Sequence, residues 1–167
     1  MRIAIGEEAE LAKKYLAIAI EAAKEATCTR SRCGAIIVTP GGNIIGESFN
    51  SPPAGLESQR RCTYDKHAYH AKVTDKTCCI HAEQRAIMDA LKRHPEVLAG
   101  SALYFARLND DGRLKYSGAP YCTICSKMVL DVGIKDFILW YPQGITVFGA
   151  EEYNDLSYAY DGTTPFA

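Results

Sequence analysis

The sequence contains no long hydrophobic run. Its longest apolar-leaning stretch, Leu11 to Ala23, is broken by Lys13, Lys14 and Glu21, well short of the ~20 apolar residues that a helical membrane span requires. No signal-peptide layout precedes that stretch, so the expectation is a soluble, cytoplasmic protein without a membrane partner. An excess of one charge is also missing. Lys and Arg number 19 against 20 Asp and Glu, a formal net charge of −1. That balance argues against a protein that wraps a polynucleotide by bulk electrostatics. There is no internal repeat and no low-complexity segment. A composition of 47% hydrophobic and 23% charged residues excludes both disorder and a fibrous chain. The 167 residues suit one domain (1–167), large enough to bury a core without covalent staples.

Cysteine, by contrast, is plentiful. There are seven, at 28, 33, 62, 78, 79, 122 and 125. An odd number without a secretory signal does not describe a disulfide framework, so these residues read as thiols or metal ligands.

Periodicity supplies the elements that carry them. Residues 7–26 place Leu11, Tyr15, Ile18 and Ala22 on one stripe of an amphipathic helix. Cys33 to Thr39 and Ile44 to Phe49, joined by Pro40-Gly41-Gly42-Asn43, read as a β-hairpin. Residues 51–79 show no clear period and form a loop longer than a structureless connection normally is. A second helix runs from Ile80 to Lys92, followed by a strand from Ala102 to Ala106. Asn109 to Gly112 is a turn that returns through Leu114 to Tyr116. A third helix spans Cys122 to Val132 and stops at Gly133, and Asp136 to Tyr141 is an apolar strand buried on both faces. A short helix is expected near 150–159. The aromatic tail (Tyr153, Tyr158, Tyr160, Phe166) points to packing rather than fraying. Helices alternating with apolar strands favour a three-layer α/β architecture.

Two motifs open the second and third helices: His81-Ala82-Glu83 and Cys122-Thr123-Ile124-Cys125. An imidazole and two thiolates are three of the four ligands of a tetrahedral zinc, and a fourth position left to water makes such a site catalytic. A helix N-terminus favours the thiolate form. Zinc lowers the pKa of its water to about 7. Glu83, two residues past the histidine, could take and return that proton without binding the metal. Each motif alone is weak, with about 0.3 chance occurrences expected in such a chain, but the two together in this order fall to about a few per cent. The competing interpretation is a structural zinc or redox Cys-x-x-Cys module, in which Glu83 has no task.

His81-Ala82-Glu83 followed by Pro120-Tyr121-Cys122-Thr123-Ile124-Cys125 resembles the signature of the zinc-dependent cytidine deaminase superfamily. Within it the chain is most similar to the deoxycytidylate (dCMP) deaminase group. The supporting segments are Arg32 to Val38, Phe49 to Gly55, Cys79 to Ile87, and Cys125-Ser126-Lys127 through Gly133-Ile134-Lys135, over about residues 7–141. The resemblance implies a cytidine-deaminase-like three-layer sandwich, a central mixed sheet flanked by helices. It implies a catalytic zinc on His81, Cys122 and Cys125, with Glu83 as proton shuttle. Asn50 would contact the sugar, and the backbone around Ala82 would meet the base. A small-molecule nucleotide or nucleoside as partner and a homo-oligomeric state follow from the same likeness.

Three departures lie around the pocket rather than at the metal. Tyr121 separates Pro120 from Cys122, Arg85 stands where the group tends to have Asn, and residues 107–119 are long. The substrate expectation is dCMP, with cytidine, deoxycytidine, guanine or adenine in RNA as rivals. Arg60, Arg61, Lys66, Lys72 and Lys76 against Asp65 and Asp75 leave residues 60–79 with three excess positive charges. That excess is either a phosphate clamp or a solvated surface, and Arg30 and Arg32 are comparable candidates. Cys62, His67, His70, Cys78 and Cys79 are candidates for a second, structural zinc, although their spacing matches no tight zinc template. They could equally be packing residues of a loop that covers the substrate.

Overall fold

The computed structural model describes residues 1–62 and 79–162. In chain order these form β1 (Arg2–Ile3), α1 (Gly6–Lys24), β2 (Arg32–Val38), β3 (Ile44–Phe49), α2 (Ala82–Arg93) and β4 (Ala102–Leu108). There follow β5 (Leu114–Lys115), α3 (Thr123–Asp131), β6 (Asp136–Tyr141), β7 (Gly144–Gly149) and α4 (Ala150–Ala159). One mixed sheet runs in the order β1-β7-β6-β4-β2-β3, with β5 paired to the end of β4. Only β4 and β6 are parallel, with Leu103 opposite Phe137. The other pairs are antiparallel.

Strand alternation builds the three layers. In β2, Ala35 and Ile37 face one side, with Leu103, Phe137, Leu139 and Phe148 from neighbouring strands, and there they meet Ala86 and Ile87 of α2 and Val129 of α3. Ile36 and Val38 face the other side, where Ala19 of α1 lies. Ile138, Ile145 and Val147 meet Leu16 of the same helix. Successive strand residues point to opposite faces, so a sheet covered on both sides needs continuous apolar strands. The architecture is the expected sandwich, with α1 on one face and α2, α3 and α4 on the other.

Of the expected helix stripe, Ala22 is buried and Tyr15 and Ile18 are half-buried against the sheet, but the stripe is centred one position further on. Leu11 is 49% exposed, while Ala12, Leu16, Ala19, Ala22 and Ala23 are buried. The cause is steric: the alanine face lets α1 settle against Gly34, where a Cβ would collide with the Ala19 carbonyl and sit 2.5 Å from the Ala23 nitrogen. Leu11 and Tyr15 are too large for that approach. Gly46 plays the same part under Ala86 and Ala90 of α2. Gly34→Ala is therefore expected to cost about 1–3 kcal/mol, the usual penalty of overpacking, read as a lower urea midpoint at unchanged far-UV dichroism.

Strand β7 was not among the sequence expectations, and it completes the sheet. Its Ile145, Val147 and Phe148 are buried. Of the aromatic tail, Tyr153 stacks on Phe137 at 4.0 Å and meets Phe148 edge-on at 5.7 Å, but Tyr158 is exposed. Phe166 lies outside the described residues. No helix among the described residues is long and apolar enough to cross a membrane. Of the 51–79 loop, the described part makes two 3₁₀ turns at Pro53–Gly55 and Glu57–Gln59. Its start is tied to α2 by the Ile80 amide donating to the Ser51 carbonyl at 2.9 Å.

Candidate active site

Two helix starts converge on the α2 side of the sheet. His81 is the N-cap of α2, and its amide donates to the Gln84 Oε1 at 3.0 Å, which holds the first turn closed. Cys122 is the N-cap of α3, and its Sγ accepts the Cys125 amide at 3.4 Å. Capping by sulfur turns both cysteines to the same side of the helix end, as the Cys-x-x-Cys spacing suggested.

The three ligand side chains come together. His81 Nδ1 lies 3.2 Å from Cys125 Sγ and 3.4 Å from Cys122 Sγ, and the two sulfurs are 3.0 Å apart. Among the described residues this is the one His/Cys/Asp/Glu group able to hold a metal ion. Tetrahedral zinc, with Zn–S of about 2.3 Å and Zn–N of about 2.0 Å, would set S···S near ~3.8 Å and S···N near ~3.5 Å. The group accommodates that ion by small rotations of the thiols, so the donor set fits zinc in type and in spacing.

The electrostatics follow from the crowding. The 3.0 Å contact between the two sulfurs, with help from the His81 imidazole, holds Cys122 down to about 4. Cys125 is pushed well up by the same contact and by its burial. Glu83, 7% exposed, is raised by burial and lies within hydrogen-bonding reach of the Cys125 thiol. Burial likewise pushes the Cys33 thiol up to about 12, so it stays protonated.

These groups open onto a cavity of about 220 Å³. Its inner wall holds His81, Ala82, Glu83 and Cys122, and its sheet side is built by Cys33, Phe105, Arg107 and Leu139. Asn50 lines the cavity too, but its side chain is bound to β2: Oδ1 accepts the Cys33 amide at 2.9 Å and Nδ2 donates to the Ser31 carbonyl at 2.8 Å.

The candidate phosphate arginines divide. Arg30 and Arg61 line the cavity. Arg32 and Arg60 do not. Arg32 donates to the Lys24 carbonyl at the end of α1, and Arg60 pairs with Glu57 and donates to the Thr27 carbonyl. Arg85 ties α2 to the Pro52 carbonyl at 2.9 Å. For the suggested second zinc, His67, His70 and Cys78 lie outside the described residues, while Cys62 and Cys79 are at the cavity wall.

Arg107, Tyr121 and Tyr153 are wall residues; the sequence puts Tyr121 and the segment beginning at 107 around the pocket but assigns neither a role, and it does not place Tyr153 there. Arg107 had a legible signal. It continues the Leu103, Phe105 alternation, so it places a charge on the core face of an apolar strand.

Comparison with known proteins agrees with this geometry. Over 129 residues the chain is 25% identical to a deoxycytidylate deaminase from Schizosaccharomyces pombe, a match covering 74% of the chain but only 35% of that longer relative. The apo crystal structure of dCMP deaminase from the cyanophage S-TIM5 superposes with a TM-score of 0.53 at 25% identity, over 77% of this chain and 80% of that one. Cytidine deaminase from Burkholderia pseudomallei shares the fold, with a TM-score of 0.56 at 18% identity over 84% of this chain and 94% of that one. The family description "cytidine and deoxycytidylate deaminase zinc-binding region" matches residues 9–141, which include His81, Glu83, Cys122 and Cys125, and the chain belongs to that family.

Proposed function

We propose that this chain is a single hydrolytic deaminase domain acting on a cytosine nucleotide, converting dCMP to dUMP with release of ammonia. The observation that carries the reading is Glu83. A carboxylate buried in a cavity wall, two residues from one candidate ligand and hydrogen-bonded to another, forms no ion pair with Lys or Arg among the described residues that would explain its burial. Its place suits proton traffic at the reacting atoms.

When bound by His81, Cys122 and Cys125, zinc supplies a Lewis acid that makes water a nucleophile at neutral pH. The chain's own residues do the remainder. Glu83 accepts a proton from the attacking water and delivers it to N3 of the ring as the new C4–O bond forms. It then passes the second water proton to the exocyclic amine as the C4–N bond breaks, so water is consumed and ammonia leaves. The Ala82 backbone and Cys33 flank the base, and Asn50 is the residue assigned to the sugar. Arginines in the cavity wall favour a substrate with a phosphate over a free nucleoside. The Schizosaccharomyces pombe and cyanophage relatives, both deoxycytidylate deaminases, support the same substrate. The family likeness also supports a homo-oligomeric assembly.

Ammonia release from the zinc-loaded protein tests this on a panel of dCMP, CMP, deoxycytidine, cytidine and guanine. The expected order puts dCMP first, about 10–100-fold above deoxycytidine in kcat/KM, as one good charge-assisted contact would give. Equal rates on nucleoside and nucleotide would remove dCMP from first place. Ammonia from guanine alone would move the reading to another amino heterocycle.

A further inference from the structure

We infer that Arg107 is the residue that recognises an anionic group on the substrate, with Ser31 as its positioning residue. The inference rests on the nucleotide-deaminase reading and names the side chain that separates nucleotide from nucleoside.

The three arginines of the cavity wall differ in what they already hold. Arg30 donates from Nη2 to the Cys62 carbonyl at 2.7 Å. Arg61 donates from Nη1 to the Ser58 and Arg60 carbonyls at 2.7 and 2.9 Å. Both sit in or beside the loop that follows β3, and each commits one terminal nitrogen to its backbone. Arg107 is different. Its Nε donates to the Ser31 Oγ at 2.8 Å, and no acceptor among the described residues meets its Nη1 or Nη2. No carboxylate pairs with it among the described residues either.

A half-buried guanidinium without a carboxylate is expensive unless something else meets its charge. The Nε bond fixes the plane of the group and leaves the terminal nitrogens as a two-pronged donor, the geometry that suits a phosphate. Its position in the site follows from register. Arg107 on β4 stands directly across from Cys33 on β2, and Cys33 is within Coulombic reach of both Glu83 and Arg107. The Ser31 hydroxyl, which accepts from Arg107, is also 3.4 Å from the Cys33 Sγ. The donor therefore sits on a paired strand rather than a loop, and a strand holds its aim better.

The test uses the zinc-loaded full chain with Arg107→Gln, Arg107→Lys and Ser31→Ala. In Arg107→Gln the ratio of kcat/KM for dCMP to that for deoxycytidine is expected to fall about 10–100-fold, mainly through KM. Arg107→Lys, which keeps the charge but not the fork, should recover part of the ratio, and Ser31→Ala should lower it by less than Arg107→Gln does. Calorimetric titration with dUMP and with inorganic phosphate gives a readout independent of turnover, and both affinities should fall with Arg107→Gln. Parallel losses on nucleotide and nucleoside, or phosphate binding indifferent to Arg107→Gln, would overturn the inference. If the wild type deaminates no cytosine compound yet binds phosphate in an Arg107-dependent way, the deaminase reading fails and this inference stands.

Discussion

Glu83→Gln is expected to keep its zinc and lose turnover by about 10²–10⁴-fold, the range that a positioned general acid–base group contributes. The substitution preserves shape and volume at a site 7% exposed, so the packing of α2 should be undisturbed. It removes the ability to accept a proton at a point where the proposed reaction needs two transfers through the same group, which places the loss toward the upper end. The amide still hydrogen-bonds, so substrate affinity should change far less than kcat. Metal analysis and steady-state kinetics on the same preparation separate the two effects. A variant with normal zinc and near-normal turnover would show that the carboxylate is not the shuttle. It would then favour a zinc module in which Glu83 has no chemical task.

The site's core was legible because its chemistry is local in sequence. His81 and Glu83 are two residues apart, Cys122 and Cys125 three, and each pair opens a helix, so spacing alone puts the groups on one side of a helix end. What joins the two pairs is the sheet. Parallel strands β4 and β6, with α3 crossing between them, set α3 beside α2. The fold class was legible because β2, β4 and β6 read as largely apolar strands alternating with helices.

The remainder was hidden for physical causes. β7 is six residues bounded by glycines, directly after the Tyr141 turn, and four apolar or β-branched positions at that length read equally well as a loop or as a buried strand. Leu11 reads as a core position by periodicity but is exposed, because close approach at Gly34 puts alanine at the centre of the α1 stripe and leaves Tyr15 and Ile18 at its edge. Arg32 and Arg60 read as equivalent to Arg30 and Arg61, since sequence does not say which way the cavity lies; Arg32 turns to the end of α1 and Arg60 to Glu57 and Thr27. The strand reading ended at Ala106, one residue before the arginine whose placement matters most.

Cys125→Ser is expected to take metal content from at least one zinc per chain to near zero and turnover to background. Cys125 is 0% exposed and within hydrogen-bonding distance of both other candidate ligands, so its loss removes one of three convergent donors. The stability consequence distinguishes a catalytic from a structural metal. Among the described residues, three apolar clusters pack the sheet on both faces, and the α2–α3 cluster, with Ala82, adjoins the candidate ligands. Loss of zinc should therefore leave the far-UV dichroism of a folded chain. The midpoint of unfolding should nonetheless fall. Zinc at ~1,000 times its dissociation constant stabilises by about 4 kcal/mol, and at ~2–4 °C per kcal/mol for a chain of this size that is about 8–16 °C. Chelation of the wild type should reproduce the shift, and added zinc should reverse it there but not in Cys125→Ser. Global unfolding on chelation would mean that the metal, rather than the apolar clusters, holds the fold, as in a small structural zinc domain. A wild-type stoichiometry near two, falling to one in Cys125→Ser, would place a second ion elsewhere in the chain and direct attention to Cys62 and Cys79.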